Sequence, residues 1–576
     1  MKSLLVANRG EIAVRIIRTA REMGIRTIAI FSELDRDALH VDLADEAWNV
    51  GGAPASESYL NQEAILRIAH EAGAEAIHPG YGFLSENAGF ARAVAETGII
   101  WVGPSGDAIE AMGDKITSRR NAEAYGVPTV PGITDPVTTV EEVEALAGDF
   151  GYPVAIKAAH GGGGKGLRVV WSREEVAEAF DGARREADAY FGNPEVYVEK
   201  YLEKPRHIEA QILFDTHGDG VFLGERDCSV QRRHQKLIEE TPSPGLTPKQ
   251  RKALAKSALD AGRSCNYVNA GTVEFLMDQS GDLYFLEMNT RLQVEHTVTE
   301  MVTGLDLVAW QLRIANGESL DLSGAEPRGH AIEFRINAED PYQGYLPTPG
   351  QVVEWNEPAG PGVRVDSWIR PGTSVSQYYD NLMAQLVVWA PDRESAISRG
   401  RRALEEFTVQ GVSTTIPAHL AVLDHEDFIN GRHYTKWMED VLSLEGSSPS
   451  GAPAVPEDED VIKRDITVEV GGRRFRVSYW APEPAVGGQM HRRPPRLAAT
   501  GQSGVSDGVV TAPMQGTIVK LHVKPGETVK LGDPICILEA MKMENEVASP
   551  AEGDVVDLRV EPGDTVAAGQ VIAIVK

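Results

Sequence analysis

Cysteine is scarce in this chain: Cys228, Cys265 and Cys536 are the only three in 576 residues, and their spacing fits neither a metal knuckle nor a redox pair. A disulfide scaffold is thereby excluded, and a reducing, cytoplasmic compartment is expected. No run of 18 apolar residues occurs, so no membrane-spanning helix is expected. The opening MKSLLVANRGEIAV lacks an unbroken apolar core, because Asn8, Arg9 and Glu11 interrupt it, and it reads as strand and turn rather than signal peptide. Basic charge is short as well. Against 85 Asp and Glu stand 56 Lys and Arg, a formal net charge of -29, which argues against nucleic-acid or anionic-membrane partners. The turn Asn8-Arg9-Gly10-Glu11 does not carry the GxGxxG fingerprint, so dinucleotide binding is unsupported.

What is present divides the chain. Its length suggests about four domains. Residues 445–460 (EGSSPSGAPAVPEDED) and 481–508 run to Pro, Gly, Ser and Ala, the composition of linkers. Between them Ile466–Val477 alternates on both sides of Gly471-Gly472, a hairpin with Ile466, Val468, Phe475 and Val477 on one face. An isolated hairpin is marginal in water, so this one is expected to pack on something.

The C-terminal residues repeat. Ala512-Pro513-Met514-Gln515-Gly516 aligns with Ser549-Pro550-Ala551-Glu552-Gly553, and one offset continues through Val523/Val560, Pro525-Gly526/Pro562-Gly563 and Ile535/Ile572. Each half reads as short strands cut by turns, and two facing halves make a small flattened all-β barrel. Lys542 sits between Met541 and Met543 where the halves join. This Ala-Met-Lys-Met resembles the biotinyl domain, which implies that Lys542 is the attachment site for biotin and that a biotin protein ligase is a partner.

The large block 1–444 opens like a nucleotide-fold domain, with a strand at Ser3–Ala7, a helix at Glu11–Met23 and a strand at Thr27–Phe31. Farther on, His160-Gly161-Gly162-Gly163-Gly164-Lys165-Gly166 separates two strands, Tyr152–Ala158 and Leu167–Trp171. Such glycines let successive backbone N–H groups converge on phosphate oxygens, although a flexible surface loop looks similar. Lys115 and Lys157 would add charge suited to nucleotide phosphates. The strands Gly271–Met277 and Leu283–Met288 flank Asp278–Asp282. A two-residue turn at Ser280-Gly281 places Glu274 opposite Glu287 on one face. Two carboxylates about 5 Å apart repel unless a cation lies between them. If the extended chain continues, Glu287, Asn289, Arg291, Gln293 and Glu295 share that face, with Met288, Leu292 and Val294 behind it.

Several long segments then resemble biotin carboxylase, an ATP-grasp enzyme, across nearly all of residues 1–440. They are Ala7–Glu11, His78–Asn87, Met112–Lys115, Glu225–Lys236 and Glu287–His296. With the biotinyl domain, the chain is similar to the α subunit of acetyl- or propionyl-CoA carboxylases of the two-subunit type. The resemblance implies an α/β multidomain fold. It comprises a pre-ATP-grasp domain (1–112), an ATP-grasp domain (113–325) with a mobile lid over 130–202, and an α+β C-terminal domain (326–444). A linker (445–465), a partner-docking hairpin (466–480), a flexible linker (481–508) and the biotinyl barrel (509–576) follow.

It also implies roles. Lys115, Lys157 and Gly161, Gly162, Gly163 and Gly164 would hold ATP phosphates, with Glu199, Leu202, His207, Gln231, His234 and Leu276 around the nucleotide. Glu274, Glu287 and Asn289 would bind Mg²⁺, with Mn²⁺ as a possible substitute. Lys236, Arg291, Gln293 and Val294 would hold bicarbonate, Glu295 would deprotonate it, and Arg335 would stabilise the negative charge developing on biotin. Without that resemblance, the favoured reading of Arg335 is a structural ion pair with Glu339 or Asp340. His160 stands where relatives commonly carry a fifth loop glycine. No sequence for a carboxyltransferase is found, so a separate β subunit, a hetero-oligomer and a product such as malonyl-CoA or methylmalonyl-CoA are expected.

Lys542→Arg keeps the charge but cannot form the same amide. Streptavidin is expected to lose the variant entirely while ATP-dependent carboxylation of added free biotin survives; a retained streptavidin signal refutes the assignment.

Overall fold

The structure is a computed structural model of the full chain. It describes residues 1–133, 135–158, 167–191, 193–322, 326–444, 461–470, 473–482, 508–513, 516–540, 543–566 and 569–576. The glycine loop 161–164, the Gly471-Gly472 turn, most of both linkers and Lys542 therefore lie outside the described residues. The chain forms two compact units, Met1–Val409 with Thr414–Glu445, and Gln410–Ser413 with Gly446–Lys576.

The first unit begins with a parallel five-stranded sheet of β1 (Ser3–Val6), β2 (Arg26–Ser32), β3 (Glu46–Gly51), β4 (Ala76–His78) and β5 (Ile100–Trp101) in the order β3-β2-β1-β4-β5. Its inner strands β1, β2 and β4 are largely buried and apolar, as strands covered on both faces require, and the edge strands β3 and β5 are half-buried. The helix Gly10–Glu22 follows β1 and turns Ile12, Ala13, Ile16, Ile17 and Ala20 onto the sheet at i, i+4 spacing.

A second, antiparallel sheet of β6 (Val154–Ala158), β7 (Arg168–Val170) and β8 (Val196–Lys200) has the order β7-β6-β8. It has its own core with the helices Val140–Phe150 and Val176–Phe191, where Val143, Ala147, Ile156, Phe180 and Val198 meet.

The third sheet is the largest and antiparallel throughout. It comprises β9 (Arg206–Phe214), β10 (Gly220–Arg232), β11 (Gln235–Thr241), β12 (Asn269–Met277), β13 (Leu283–Asn289) and β14 (His330–Asn337), and then strands Leu382–Ala390 and Val363–Ser367. The spatial order is β13-β12-β9-β10-β11-β14, followed by those two. The expected boundary at 325 thus separates strands of one continuous sheet, because β11 pairs directly with β14.

In the second unit the strands Val461–Val470 and Arg473–Pro482 pair in register, with Ile466 opposite Val477 and Val468 opposite Phe475. The hairpin is longer than expected at both ends, so residues 461–465 are strand rather than linker. The repeat becomes two four-stranded sheets. One orders Val509–Thr511, Val571–Val575, Gly553–Leu558 and Thr528–Val529. The other orders Met543–Ala548, Pro534–Ala540, Gly516–Leu521 and Thr565–Val566. Shifting any strand of one sheet by the repeat offset, forward from the first half or back from the second, falls on its counterpart in the other. Ala540 and Met543 are register partners, and Met541 and Lys542 are the two residues between them.

One glycine controls how the site's strand is backed. Gly262 lies inside the helix Pro248–Ser264, where alanine is ordinarily better by about 1 kcal/mol. A Cβ there would stand 2.5 Å from the Phe214 ring at the end of β9. Overpacking a rigid ring costs about 1–3 kcal/mol, so steric cost outweighs helix propensity. Gly262→Ala is expected to lower the melting temperature of the full chain, and an unchanged or higher value refutes this packing.

Candidate active site

Cross-strand register builds the site. Glu287 on β13 is the partner of Glu274 on β12, Glu274 of Glu209 on β9, and Glu209 of Arg226 on β10. One row of the sheet therefore carries three carboxylates and a guanidinium side by side. The adjacent row sets Asn289 beside Thr272 and Thr272 beside Gln211; on the other side Leu276 partners His207.

The expected pairing of Glu274 with Glu287 is present, but not by the expected turn. The pairs Met277/Leu283 and Phe275/Phe285 close a five-residue loop, Asp278–Asp282, rather than a two-residue turn at Ser280-Gly281. A bulge at Leu286, whose side chain is exposed, then shifts the register by one and restores the Glu274–Glu287 pair. The extended continuation is likewise corrected. β13 ends at Asn289, and the Thr290 N–H donates to Glu86 Oε1 at 3.0 Å instead of to a strand neighbour. The chemistry still converges, because Leu292 is fully buried behind and a helix starts at His296.

Around this row, opposite charges alternate. Lys236 on β11 donates to Glu274 at 3.0 Å, to Glu295 at 2.7 Å and to Glu209. Arg226 is fully buried and spends its guanidinium on Glu209, Gln211, Thr272, Gln293 and Thr299 at 2.7–3.2 Å. Gln293 and Asn289 each donate to Glu274 Oε1 at 2.8 Å. Arg291 joins Asn289 Oδ1 at 3.0 Å to Glu86 at 2.9 Å. Arg335 on β14 reaches Glu295 Oε2 at 2.8 Å and Glu239 Oε1 at 2.6 Å. Its partners are thus site carboxylates, not Glu339 or Asp340.

These contacts fix ionisation. Burial works to raise Glu274 and Glu209, but Lys236 with His207 at Glu274, and Lys236 with Arg226 at Glu209, together outweigh it and hold both well below the usual carboxylate range. Burial would neutralise His207, but Glu274, 3.1 Å away, raises it to about 10. Burial and Glu209 push Glu295 up, while Lys236 and Arg335 bring it below its ordinary value, so it is an anion able to accept a proton. Glu287 differs. Burial, then the Glu274 charge, raises it, and among the described residues it makes no hydrogen bond.

That contrast marks where a cation would be favourable. His207, Glu209 and Glu274 have ligand atoms within 4.8 Å of one another, yet the Lys236 ammonium and Arg226 already compensate that space. The outer pair, Glu274 with Glu287, presents the uncompensated carboxylate and oxygen ligands suited to a hard divalent ion. Glu287, Glu274 and the neighbouring Asn289 fit such an ion.

The remaining expected residues divide. Lys157 pairs with Glu199 within the three-stranded sheet, and Arg119 reaches Glu199 at 3.4 Å. Exposed Lys115 opens the helix Lys115–Ala124, and its charge acts on Glu287. Gln231 is buried, is the register partner of Lys236, and donates to the Cys228 carbonyl at 3.2 Å. His234 lies in the β10–β11 turn at φ 67°. Leu202 is half-buried after β8, and the Val294 carbonyl accepts from Gln385. Glu209, Arg226, Glu86 and Glu239 went unassigned from sequence. For Glu209 the signal was there, in the alternation His207-Glu209-Gln211 along β9.

Comparison with known proteins bears on this geometry. The family description "Biotin carboxylase, N-terminal domain" matches residues 1–109, "Carbamoyl-phosphate synthase L chain, ATP binding domain" residues 114–323, and "Biotin carboxylase C-terminal domain" residues 333–440. The chain is 48% identical to the biotin-dependent acyl-coenzyme A carboxylase alpha3 subunit of Mycobacterium leprae, over 94% of this chain and 93% of that one. It belongs to the biotin-dependent carboxylase α subunits. Its core is accordingly a biotin carboxylase, an ATP-using ligase. It is 50% identical to biotin carboxylase 1 of Bacillus subtilis over 76% of this chain and 98% of that one. The biotin carboxylase domain dimer of Hydrogenobacter thermophilus 2-oxoglutarate carboxylase, solved with MgADP, ADP and bicarbonate, superimposes with a TM-score of 0.71. It is 48% identical, over 76% of this chain and 97% of that one. "Biotin-requiring enzyme" matches residues 508–575, the two-sheet repeat. Among the described residues no helix is long and apolar enough to cross a membrane.

Removing one partner from a buried ionic cluster leaves the others uncompensated, at about 3–5 kcal/mol. Arg226→Leu is expected to lower the unfolding free energy by that much in denaturant titration. A variant as stable as the parent refutes the compensating role.

Proposed function

We propose that this chain carboxylates biotin with ATP and bicarbonate, and serves a separate carboxyltransferase subunit that makes malonyl-CoA, methylmalonyl-CoA or both. The carrying observation is Glu295, a buried carboxylate held ionised between Lys236 at 2.7 Å and Arg335 at 2.8 Å, and joined through Lys236 to Glu274 of the Glu274/Glu287 pair. Biotin on Lys542 would be the carboxyl acceptor and carrier. Mg²⁺ held by Glu274, Glu287 and Asn289 would neutralise phosphate charge shared with ATP. Lys115, Lys157 and the 161–164 loop would bind the phosphates, and Glu199, Leu202, His207, Gln231, His234 and Leu276 would surround the nucleotide.

Lys236, Arg291, Gln293 and the Val294 backbone would orient bicarbonate, whose two oxygens suit a guanidinium fork. Glu295 would take the bicarbonate proton, freeing an oxygen for attack on the γ-phosphorus, and its two cationic neighbours would stabilise it before transfer. Arg335 would then face the negative charge that develops at the carboxyl acceptor. Residues 1–112, 113–325 and 326–444 would supply this chemistry, and 509–576 the carrier. The scarcity of cysteine supports a cytoplasmic setting, with a biotin protein ligase as a further partner. The relatives' likeness supports a hetero-oligomer in which the partner chooses the acyl-CoA.

Glu287→Gln keeps the shape and removes the charge facing Glu274. Bicarbonate-dependent ATP hydrolysis at saturating Mg²⁺ is expected to fall by about 10²–10³-fold while the melt stays near the parent's. A near-normal rate rejects the metal role. In the same assay the parent chain with acetyl-CoA or propionyl-CoA should make no acyl product; product formation rejects the separate transferase.

A further inference from the structure

A second pair of buried glutamates lies just beyond the reacting groups. Glu239 on β11 is the register partner of Glu333 on β14, and both side chains are fully buried. Like charges at opposed positions repel, and no cation lies between these two in the way Lys236 lies among Glu209, Glu274 and Glu295. Glu239 Oε1 is taken by Arg335 at 2.6 Å, whereas its Oε2 is buried with no hydrogen-bond partner. Glu333 touches only neutral groups: the Thr297 hydroxyl on Oε2 and the Gln385 amide at 3.4 Å from Oε1.

We propose that Glu333 is protonated in the working enzyme and is a positioning residue, whose proton lets Glu239 alone balance Arg335 so that the guanidinium stays directed at Glu295. Local pairing supports this. Among the described residues Arg335 is the one cation bonded to either member of the pair, and it takes Glu239. The ion pair to Arg335 makes Glu239 the anion, and Glu333 keeps the proton, for which the bare Oε2 of Glu239 is the available acceptor. Burial, then the Glu239 charge, raises Glu333 well above the ordinary value, and burial raises Glu239 to about 7. The groups facing Glu239 are Arg335, Glu295, Lys236, Glu209 and the Cys228 thiol; those facing Glu333 are Glu239, Arg335, Glu295, Thr297, Gln385 and Tyr81. Losing the Glu333 proton at high pH would add a third anion around Arg335, beside Glu239 and Glu295, and draw it from Glu295.

The inference rests on the proposed roles of Arg335 and Glu295, so the test reads the proton without turnover as well as with it. Infrared difference spectra of the full chain and of E333Q should show a protonated-carboxyl C=O stretch in the parent that the variant lacks. In free-biotin carboxylation, E333Q should stay within about twofold of the parent near neutral pH, with its alkaline limb displaced to higher pH. An absent parent band, or a band that persists in E333Q, overturns the proposal. So does a tenfold or larger loss near neutrality with an unshifted limb. A parent that shows the band but no bicarbonate-dependent ATP hydrolysis fails the functional reading instead, and leaves the Glu333 proton established.

Discussion

Charge compensation in a buried sheet face is the constraint on which the site depends. Two unit charges 4 Å apart interact by about 4 kcal/mol at an effective dielectric constant of 20, several times the worth of an ordinary cross-strand pair. A row reading Glu287, Glu274, Glu209 and Arg226 across four strands cannot be left to solvent, because Glu209 and Arg226 are wholly buried. Lys236 and Arg226 stand among the carboxylates, and the only acid in the row that lacks a protein hydrogen bond among the described residues is Glu287, where metal and nucleotide are proposed to enter. The same electrostatic demand that makes the fold costly to assemble there selects the place where a ligand cation is favourable.

Compensation also dictates geometry. Glu295 is fixed not by its own helix turn but by cations from two other strands, Lys236 on β11 and Arg335 on β14. These strands lie on either side of the expected domain boundary. One continuous sheet therefore gives a rigid distance between the groups proposed to handle bicarbonate and the group proposed to face the carboxyl acceptor, without relying on how two separate domains settle. The bulge at Leu286 serves the same end. Without its one-residue shift, every side chain beyond it on β13 would turn to the opposite face, and Glu287 would leave Glu274.

The carrier repeat follows another logic. Neither half of residues 509–576 could cover its own apolar strands, whereas duplication supplies a second sheet of the same shape. The core residues Ile518, Ile535, Val555 and Ile572 come from equivalent places in the two halves. Val519 and Val556, also equivalent, fall at matching irregularities of register and are both exposed. Symmetry at this level is a consequence of sequence periodicity alone.

Much was therefore legible without coordinates. Short-range pattern determined the opening strand–helix–strand, the repeat of short strands and the hairpin over 466–477. Each rests on a local period that every residue obeys independently. The tertiary structure alone decided that Asp278–Asp282 is a five-residue loop corrected by a bulge, that the chain leaves the strand after Asn289, and that β11 pairs with β14 across the boundary expected at 325. It also decided the partners of Arg335 and the insertion of Arg226 and Glu209 among the site's acids. Those choices turn on which buried charges are brought within a few ångströms of each other by strands far apart in sequence, and one-dimensional spacing carries no record of that distance.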